Sequence, residues 1–345
     1  MTRHPLTRRA GFTLVEVLIV ITILGMLMAL TVVGISKALD TARQAKITTD
    51  LSQLDTALGT YKTDRNDFPP ALFPVTANFN TAGAVDSTDP GQVYNQVRFN
   101  RHVRQAFSRY RGGDPYTAFG LLVRALNVQK QTADPPGPPD PIPLDIYDLD
   151  PAESLVLWLG GISDSLGSLQ NYSGSNKLIG FSSDPAHPFG IYDSSSNTLT
   201  SFTQPKGLIY PFDPQRLVDR DNDGWLEYAV DFRADKAEMP GYAYFDFRGY
   251  TRPGPGNTQI VNFYSPTPAH EVAVPYASGV SASNTVTWVN AQKFQLIAAG
   301  LDGTFGNPDT TVLRVFPIGT GYGEGDDDNL VNFTTSALRT EMEKQ

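Results

Sequence analysis

The stretch Gly11-Phe12-Thr13-Leu14-Val15-Glu16-Val17-Leu18-Ile19-Val20 decides how this chain is read, and its apolar character runs on to Ile35. Between Phe12 and Ile35 almost every side chain is apolar, and Glu16 is the only charge. An apolar run of about 20 residues spans hydrocarbon as one helix, whose backbone hydrogen bonds are all made internally. A carboxylate one turn into such a helix costs a few kcal/mol unless it stays wet near the headgroups or finds a partner. Arg3, His4, Arg8 and Arg9 precede the run, and basic residues there hold that end in the cytoplasm. A secretory signal would have a shorter apolar core with a small-x-small cleavage site behind it. Here Ile35 is followed by Ser36-Lys37-Ala38-Leu39, and the small residue, Gly11, stands before the run. Cleavage at Gly11 removes a basic leader, 1–11, and leaves the helix 12–35 in the mature chain.

The basic leader followed by Gly11-Phe12-Thr13-Leu14-Val15-Glu16 resembles the class III signal of type IV pilins and type II secretion pseudopilins. The resemblance implies that a prepilin peptidase cuts between Gly11 and Phe12 and methylates the new Phe12 amine. It also implies that Glu16 neutralises the Phe12 amine of a neighbouring subunit as a filament grows. A buried acid that is paired and hydrogen-bonded is tolerable where a lone one is not. One such pair can set axial register while apolar packing holds the subunits together.

Beyond the predicted span the helix continues as an amphipathic half, 36–64. Ile47, Leu51, Leu54, Leu58 and Tyr61 recur at gaps of four and three, the spacing of one apolar helix face. No proline interrupts Phe12 to Tyr61, so one helix of roughly 50 residues and about 75 Å is expected. Asp64-Arg65-Asn66-Asp67-Phe68-Pro69-Pro70 stops it. Leu54-Asp55-Thr56-Ala57-Leu58-Gly59-Thr60-Tyr61-Lys62 with Phe68-Pro69 also resembles the major pseudopilin pattern. Residues 65–345 form an exported domain with a loop-rich insertion at about 71–206, where Ala133 to Pro141 reads as an extended linker. Two helices stand out in the insertion. One covers Asp114 to Asn127, with Phe119, Leu121, Leu122 and Leu126 as its apolar face. The other opens at Asp150-Pro151-Ala152-Glu153, a cap, a proline and an acid in the right order. Strand signals follow at 207–210, 225–230, 242–247, 259–264 and 294–299. The expected fold class is α+β, an antiparallel sheet packed on the amphipathic half-helix.

Two acidic constellations point to a cation. Asp219-Arg220-Asp221-Asn222-Asp223-Gly224-Trp225-Leu226-Glu227 places acids at alternate positions and glycine at the sixth, the opening of a calcium loop. Val230 stands where an EF-hand has its bidentate Glu, and the alternative reading is a solvated turn between strands. The second pairs Leu301-Asp302-Gly303 with Gly323-Glu324-Gly325-Asp326-Asp327-Asp328. Both pieces resemble the C-terminal region of major pseudopilins, which implies calcium with Asp302, Asp326, Asp327 and Asp328 as candidate ligands. About 20 residues separate the two pieces, more than a tight loop holds. The alternative is an acidic loop screened by solvent.

Composition narrows the class. The net charge is −9 and there is no cysteine, which argues against a nucleic-acid surface and excludes disulfides and thiolate metal sites. His4, His102, His187 and His270 form no spaced metal motif, and no nucleophile elbow, P-loop or dinucleotide fingerprint occurs. The chain reads as a non-enzymatic filament subunit anchored in the inner membrane, its outer domain exported. The implied partners are a prepilin peptidase and methyltransferase, identical subunits, other pseudopilins and an inner-membrane assembly platform. A type IV pilus subunit serving adhesion, motility or DNA uptake is one alternative. A tethered, calcium-dependent binding module that never polymerises is the other.

Overall fold

The computed structural model describes residues 13–73, 90–120, 123, 149–163, 178–193, 198–200, 205–206, 208–220, 225–230, 239–254, 258–265 and 272–344. The architecture is α+β: helices early in the chain, then short antiparallel strand pairs. Two compact units are distinguished, Met1–Ala45 and Lys46–Gln345.

The first helix, α1, runs from Leu14 to Arg65. Lys62 and Arg65 occupy its last turn, where cations complement the negative end of the helix dipole. Asn66 then adopts a left-handed φ of 62°, a conformation asparagine tolerates and one that ends helices. Among the described residues no helix is long and apolar enough to cross a membrane. The span 12–35 read from sequence includes residue 12 and the side chains at 30 and 32–34, which lie outside the described residues.

In the second unit the expected stripe is the buried one. Ile47, Leu51, Leu54, Leu58 and Tyr61 are each 3% exposed or less, and each full burial of such a side chain is worth about 1.5–3 kcal/mol. Polar contacts fix the rotation of this half-helix. Asp50 accepts from Arg216 Nη2 and from the Tyr242 hydroxyl, each at 2.9 Å. Asp55 Oδ1 accepts from Asn332 Nδ2 at 2.9 Å.

Two further helices close the core. The helix α2, Pro90–Ala106, buries Gln92, Asn95, Phe99, His102 and Val103. Asn95 Nδ2 donates to the Phe73 carbonyl at 2.7 Å, and His102 Nε2 meets the Tyr61 hydroxyl at 2.7 Å. Phe99 centres an aromatic cluster with Phe119, Trp158 and Phe189. The helix α3, Pro151–Gly160, is buried along its whole length. Asp150 Oδ1 accepts from the backbone of Ala152 and Glu153, and Glu153 Oε2 accepts from the Asp150 backbone at 2.8 Å. That is the capping box its sequence announces.

The central sheet orders Leu330–Val331, Phe294–Ala298 and Ala243–Asp246, all antiparallel. Its register sets Leu296 opposite Tyr244 and Ile297 opposite Val331. The structure corrects the strand expected at 207–210. The amides of Ile209 and Tyr210 both donate to the Leu159 carbonyl, so this segment satisfies the end of α3 instead of entering a sheet. Of the helix expected over 114–127, residues 115–120 and 123 are helical; Leu121, Leu122 and Leu126 lie outside the described residues, as does 133–141.

Candidate functional site

Gly11 and Phe12 lie outside the described residues. Thr13 stands immediately before α1 and caps it. Glu16 Oε2 accepts from the Thr13 amide and from Thr13 Oγ1, each at 2.8 Å, and the Glu16 amide donates to Thr13 Oγ1 at 3.2 Å. This reciprocal arrangement is a capping box with the acid at the third helical position. It holds the Glu16 carboxylate at the helix N-terminus, where the dipole favours negative charge. The Thr-x-x-Glu spacing that signals it is present in the sequence. From Leu14 to Met28 the large apolar side chains are 48% to 83% exposed. A continuous apolar surface of this kind marks a membrane or protein contact.

The C-terminal acids are brought together by the sheet. Pairing of Ala298 with Leu330 sets the turn after Phe294–Ala298 beside the acid run before Leu330–Val331, which bridges the intervening sequence. The three adjacent acids then part ways. Asp328 Oδ2 accepts from the Leu301 amide at 2.6 Å and the Asp302 amide at 3.3 Å. Its Oδ1 is buried and meets no hydrogen-bond donor among the described residues. Burial, then the charge of Asp302, pushes the Asp328 carboxyl up to about 6. Its carboxylate fills the space over Gly300, where any Cβ would collide with it.

Asp326 turns inward, fully buried. Its Oδ1 accepts from the Tyr276 hydroxyl at 2.9 Å and lies 3.1 Å from Arg314 Nη1. Its Oδ2 accepts from the amides of Gly323 at 2.8 Å and Asn307 at 3.2 Å. Burial raises its carboxyl against the pull of Arg314 and these donors. Asp327 pairs instead with Arg339 at 3.4 Å. Asp302 and Asp328 are therefore the two candidate ligands that face one another.

In the other acidic stretch, Asp221 and Asp223 lie outside the described residues. Glu227 is buried. Its Oε2 accepts from the Tyr264 hydroxyl at 2.5 Å and the Gly241 amide at 3.2 Å, and lies 3.1 Å from Arg220 Nη1. One oxygen each of Glu227, Asp150 and Glu153 fall within 4.8 Å of one another, a grouping that joins acids 77 residues apart and has no local signature in sequence.

Residues 6–32 match the prokaryotic N-terminal methylation motif. Over 62 residues the chain is 44% identical to a type II secretion system core protein G of Aeromonas hydrophila, covering 18% of this chain and 43% of that protein. It is 32% identical over 90 residues to core protein G of Escherichia coli (strain K12), covering 23% and 62%. It is 40% identical over 62 residues to the Pectobacterium carotovorum subsp. carotovorum protein, covering 18% and 40%. The chain thus spans between 40% and 62% of the length of these curated relatives. No solved structure matches it.

Proposed function

We propose that this chain is a structural subunit of a type II secretion pseudopilus. The observation that carries the reading is the methylation motif over residues 6–32, at the head of a helix whose apolar side chains stand exposed from Leu14 to Met28. The similarity to core protein G favours secretion over an adhesive or motility pilus. In this reading the Phe12–Ile35 segment waits in the inner membrane with the residues from 65 onward exported. A prepilin peptidase cleaves between Gly11 and Phe12 and methylates the Phe12 amine. The helix then leaves lipid and packs among identical subunits and other pseudopilins on an inner-membrane assembly platform. Helices replace lipid chains as its apolar cover, so packing and polar pairs set the arrangement.

Glu16 suits the register-setting role. A carboxylate offers about four lone-pair sites, and Thr13 takes two of them on Oε2. The cap and a neighbour's Phe12 amine are compatible on one side chain.

Calcium fits best at Asp302 and Asp328, where a buried oxygen of Asp328 meets no donor and two carboxylates crowd. Calcium there would offset the repulsion of the two facing carboxylates, and hard oxygen donors suit it. The role is structural: it ties the Asp302 turn to the strand pair beneath it. The Asp219 to Glu227 stretch fits less well, because Glu227 is already committed to Tyr264, Gly241 and Arg220.

Mass spectrometry of the native chain's N-terminus tests the filament reading. An N-methylated Phe12 is expected. Retention of Met1 through Gly11 overturns it.

A further inference from the structure

We propose that the arginine-rich end of α2 docks the acidic C-terminal segment of a second copy of this chain. The inference rests on the filament reading and adds to it a contact outside the apolar helices. Residues 98–111 hold five arginines and no acid, in a chain whose net charge is −9. Arg98 is spent inside the fold, where it pairs with Asp246. Arg101, Arg104, Arg109 and Arg111 are exposed. Arg104 Nη2 donates to the Gly113 carbonyl at 3.2 Å. The guanidinium groups of Arg101, Arg109 and Arg111 make no hydrogen bond or ion pair among the described residues.

The fold gathers these cations. Arg101 and Arg104 lie one turn apart on α2, and the chain then turns back on itself, with the Tyr110 amide donating to the Phe107 carbonyl at 2.8 Å. Arg65 of α1 lies 4.4 Å over the Phe107 ring and adds a further charge there. A helix C-terminus favours cations within its last turn, which accounts for Arg104. It does not reach Arg109 and Arg111, which lie past the end of α2 and make no ion pair among the described residues.

The same chain carries the complement. Residues 301–345 hold eight acids against three bases. Glu324 and Glu343 are exposed, and the Glu324 carboxylate makes no hydrogen bond or ion pair among the described residues. The Arg339 amide donates to the Asp327 carbonyl at 2.9 Å, and its guanidinium bridges Asp327 and Glu343, so this segment is presented as one piece. Guanidinium groups recognise carboxylates through paired, charge-assisted hydrogen bonds. The basic and acidic segments are separate stretches of one chain, so each copy offers one to one neighbour and the other to the next. Such heterologous contacts, when they do not close, build open helical assemblies.

The absence of cysteine makes the test clean. Full-length chains carrying Arg109→Cys and Glu324→Cys are co-expressed with the assembly machinery, and fibres are collected under oxidising conditions. Disulfide-linked dimers between the two variants are expected, well above a control that pairs Glu324→Cys with Ser281→Cys. In parallel, the triple reversal R101E/R109E/R111E is expected to lower fibre yield several-fold with leader cleavage unchanged, and E324K/E343K on the same chain is expected to restore it. Cross-linking no greater than the control, or an undiminished yield from the triple reversal, overturns the proposal while leaving the filament reading intact. Retention of the wild type but not the reversal on anionic phospholipid vesicles, with fibre yield unaffected, assigns the patch to a lipid surface and likewise overturns it. If the reversal proves misfolded by circular dichroism, the cross-link decides alone. A processed wild type that forms no fibre sinks both readings together.

Discussion

Arg314 and Asp326, neither with any exposed surface, pair at 3.1 Å beneath the C-terminal acid run. Arg314 also donates to the carbonyls of Phe305, Val272 and Asn307, so the pair ties four separate segments. Removing one partner of such a pair strands the other charge in a medium that cannot solvate it. Asp326→Ala is expected to destabilise the chain by about 3–5 kcal/mol, read from urea denaturation of the detergent-solubilised protein. A loss below about 1 kcal/mol would show that Arg314 is satisfied by carbonyls alone.

Calcium should act one residue away from a residue that ignores it. Wild-type chain moved from chelator to calcium at a hundred times its dissociation constant should gain about 2.7 kcal/mol. Asp328→Asn should abolish that gain, because it removes the carboxylate that faces Asp302. Asp327→Asn should keep it, because that side chain points to Arg339. Equal melting curves with chelator and with millimolar calcium would exclude the site.

Gly300→Ala tests the same site from the backbone side. The added methyl falls on the Asp328 carboxyl group, which must swing off the Leu301 and Asp302 amides. The variant should lose the calcium response and about 1–3 kcal/mol of calcium-free stability, the cost of stranding buried polar groups. An alanine variant that responds like wild type would mean that Asp328 does not need this pose.

The contrast between Asp326, Asp327 and Asp328 shows where sequence reading stops. Their local composition is uniform, and their fates are set by Arg314, Arg339 and Gly300, which lie 12, 12 and 28 residues away. The amphipathic half of α1 was legible because Ile47, Leu51, Leu54, Leu58 and Tyr61 keep one apolar stripe, which the buried Asp50 does not break. The cap of α3 was legible because Asp150, Pro151 and Glu153 stand in a fixed order. The helix α2 went unread for a physical reason: its buried positions 92, 95, 99, 102 and 103 keep helical spacing, yet three of them are Gln, Asn and His. These polar side chains are buried because partners elsewhere in the chain receive them, such as the Phe73 carbonyl for Asn95. Hydrophobic periodicity does not register a stripe built that way.

Acid should loosen the junction of α1 and α2 in two steps. His102 is enclosed by Tyr61 of α1, by Asp67, whose oxygen is 3.8 Å away, and by Trp158 of α3; Arg248 and Asp246 also act on it. Burial holds the imidazole below its ordinary value, against the opposing pull of Asp67. The unfolded chain therefore takes up a proton near pH 6.5 that the folded chain resists, and stability falls with acid from there by up to about 1.4 kcal/mol per pH unit. Asp67 acts lower. Burial opposes its charge, but His102 and the two-pronged Arg248 contact hold its carboxyl well below the usual range. Its contribution is complete above the unfolded value near 3.9 and is lost as pH drops towards the folded one. His102→Gln should flatten the stability curve just below pH 6.5 and shrink the lower step without abolishing it, because Arg248 still holds Asp67, as followed by denaturant midpoints across pH.

Glu16 separates two jobs that one side chain combines. As the third helical residue it caps α1 through Thr13, a role that glutamine performs as well as glutamate. In the proposed filament its charge meets a neighbour's Phe12 amine, which glutamine cannot neutralise. Glu16→Gln should therefore insert and be cleaved like wild type, with helicity unchanged, yet yield few or no fibres on pelleting. Thr13→Ala reverses the pattern: it weakens the cap by about 1 kcal/mol but leaves the carboxylate, so fibres should persist at reduced thermal stability. Glu16→Ala loses both functions and should resemble the glutamine variant in assembly. If Glu16→Gln polymerises at the wild-type level, register is set by apolar packing alone, and the carboxylate is there to start the helix.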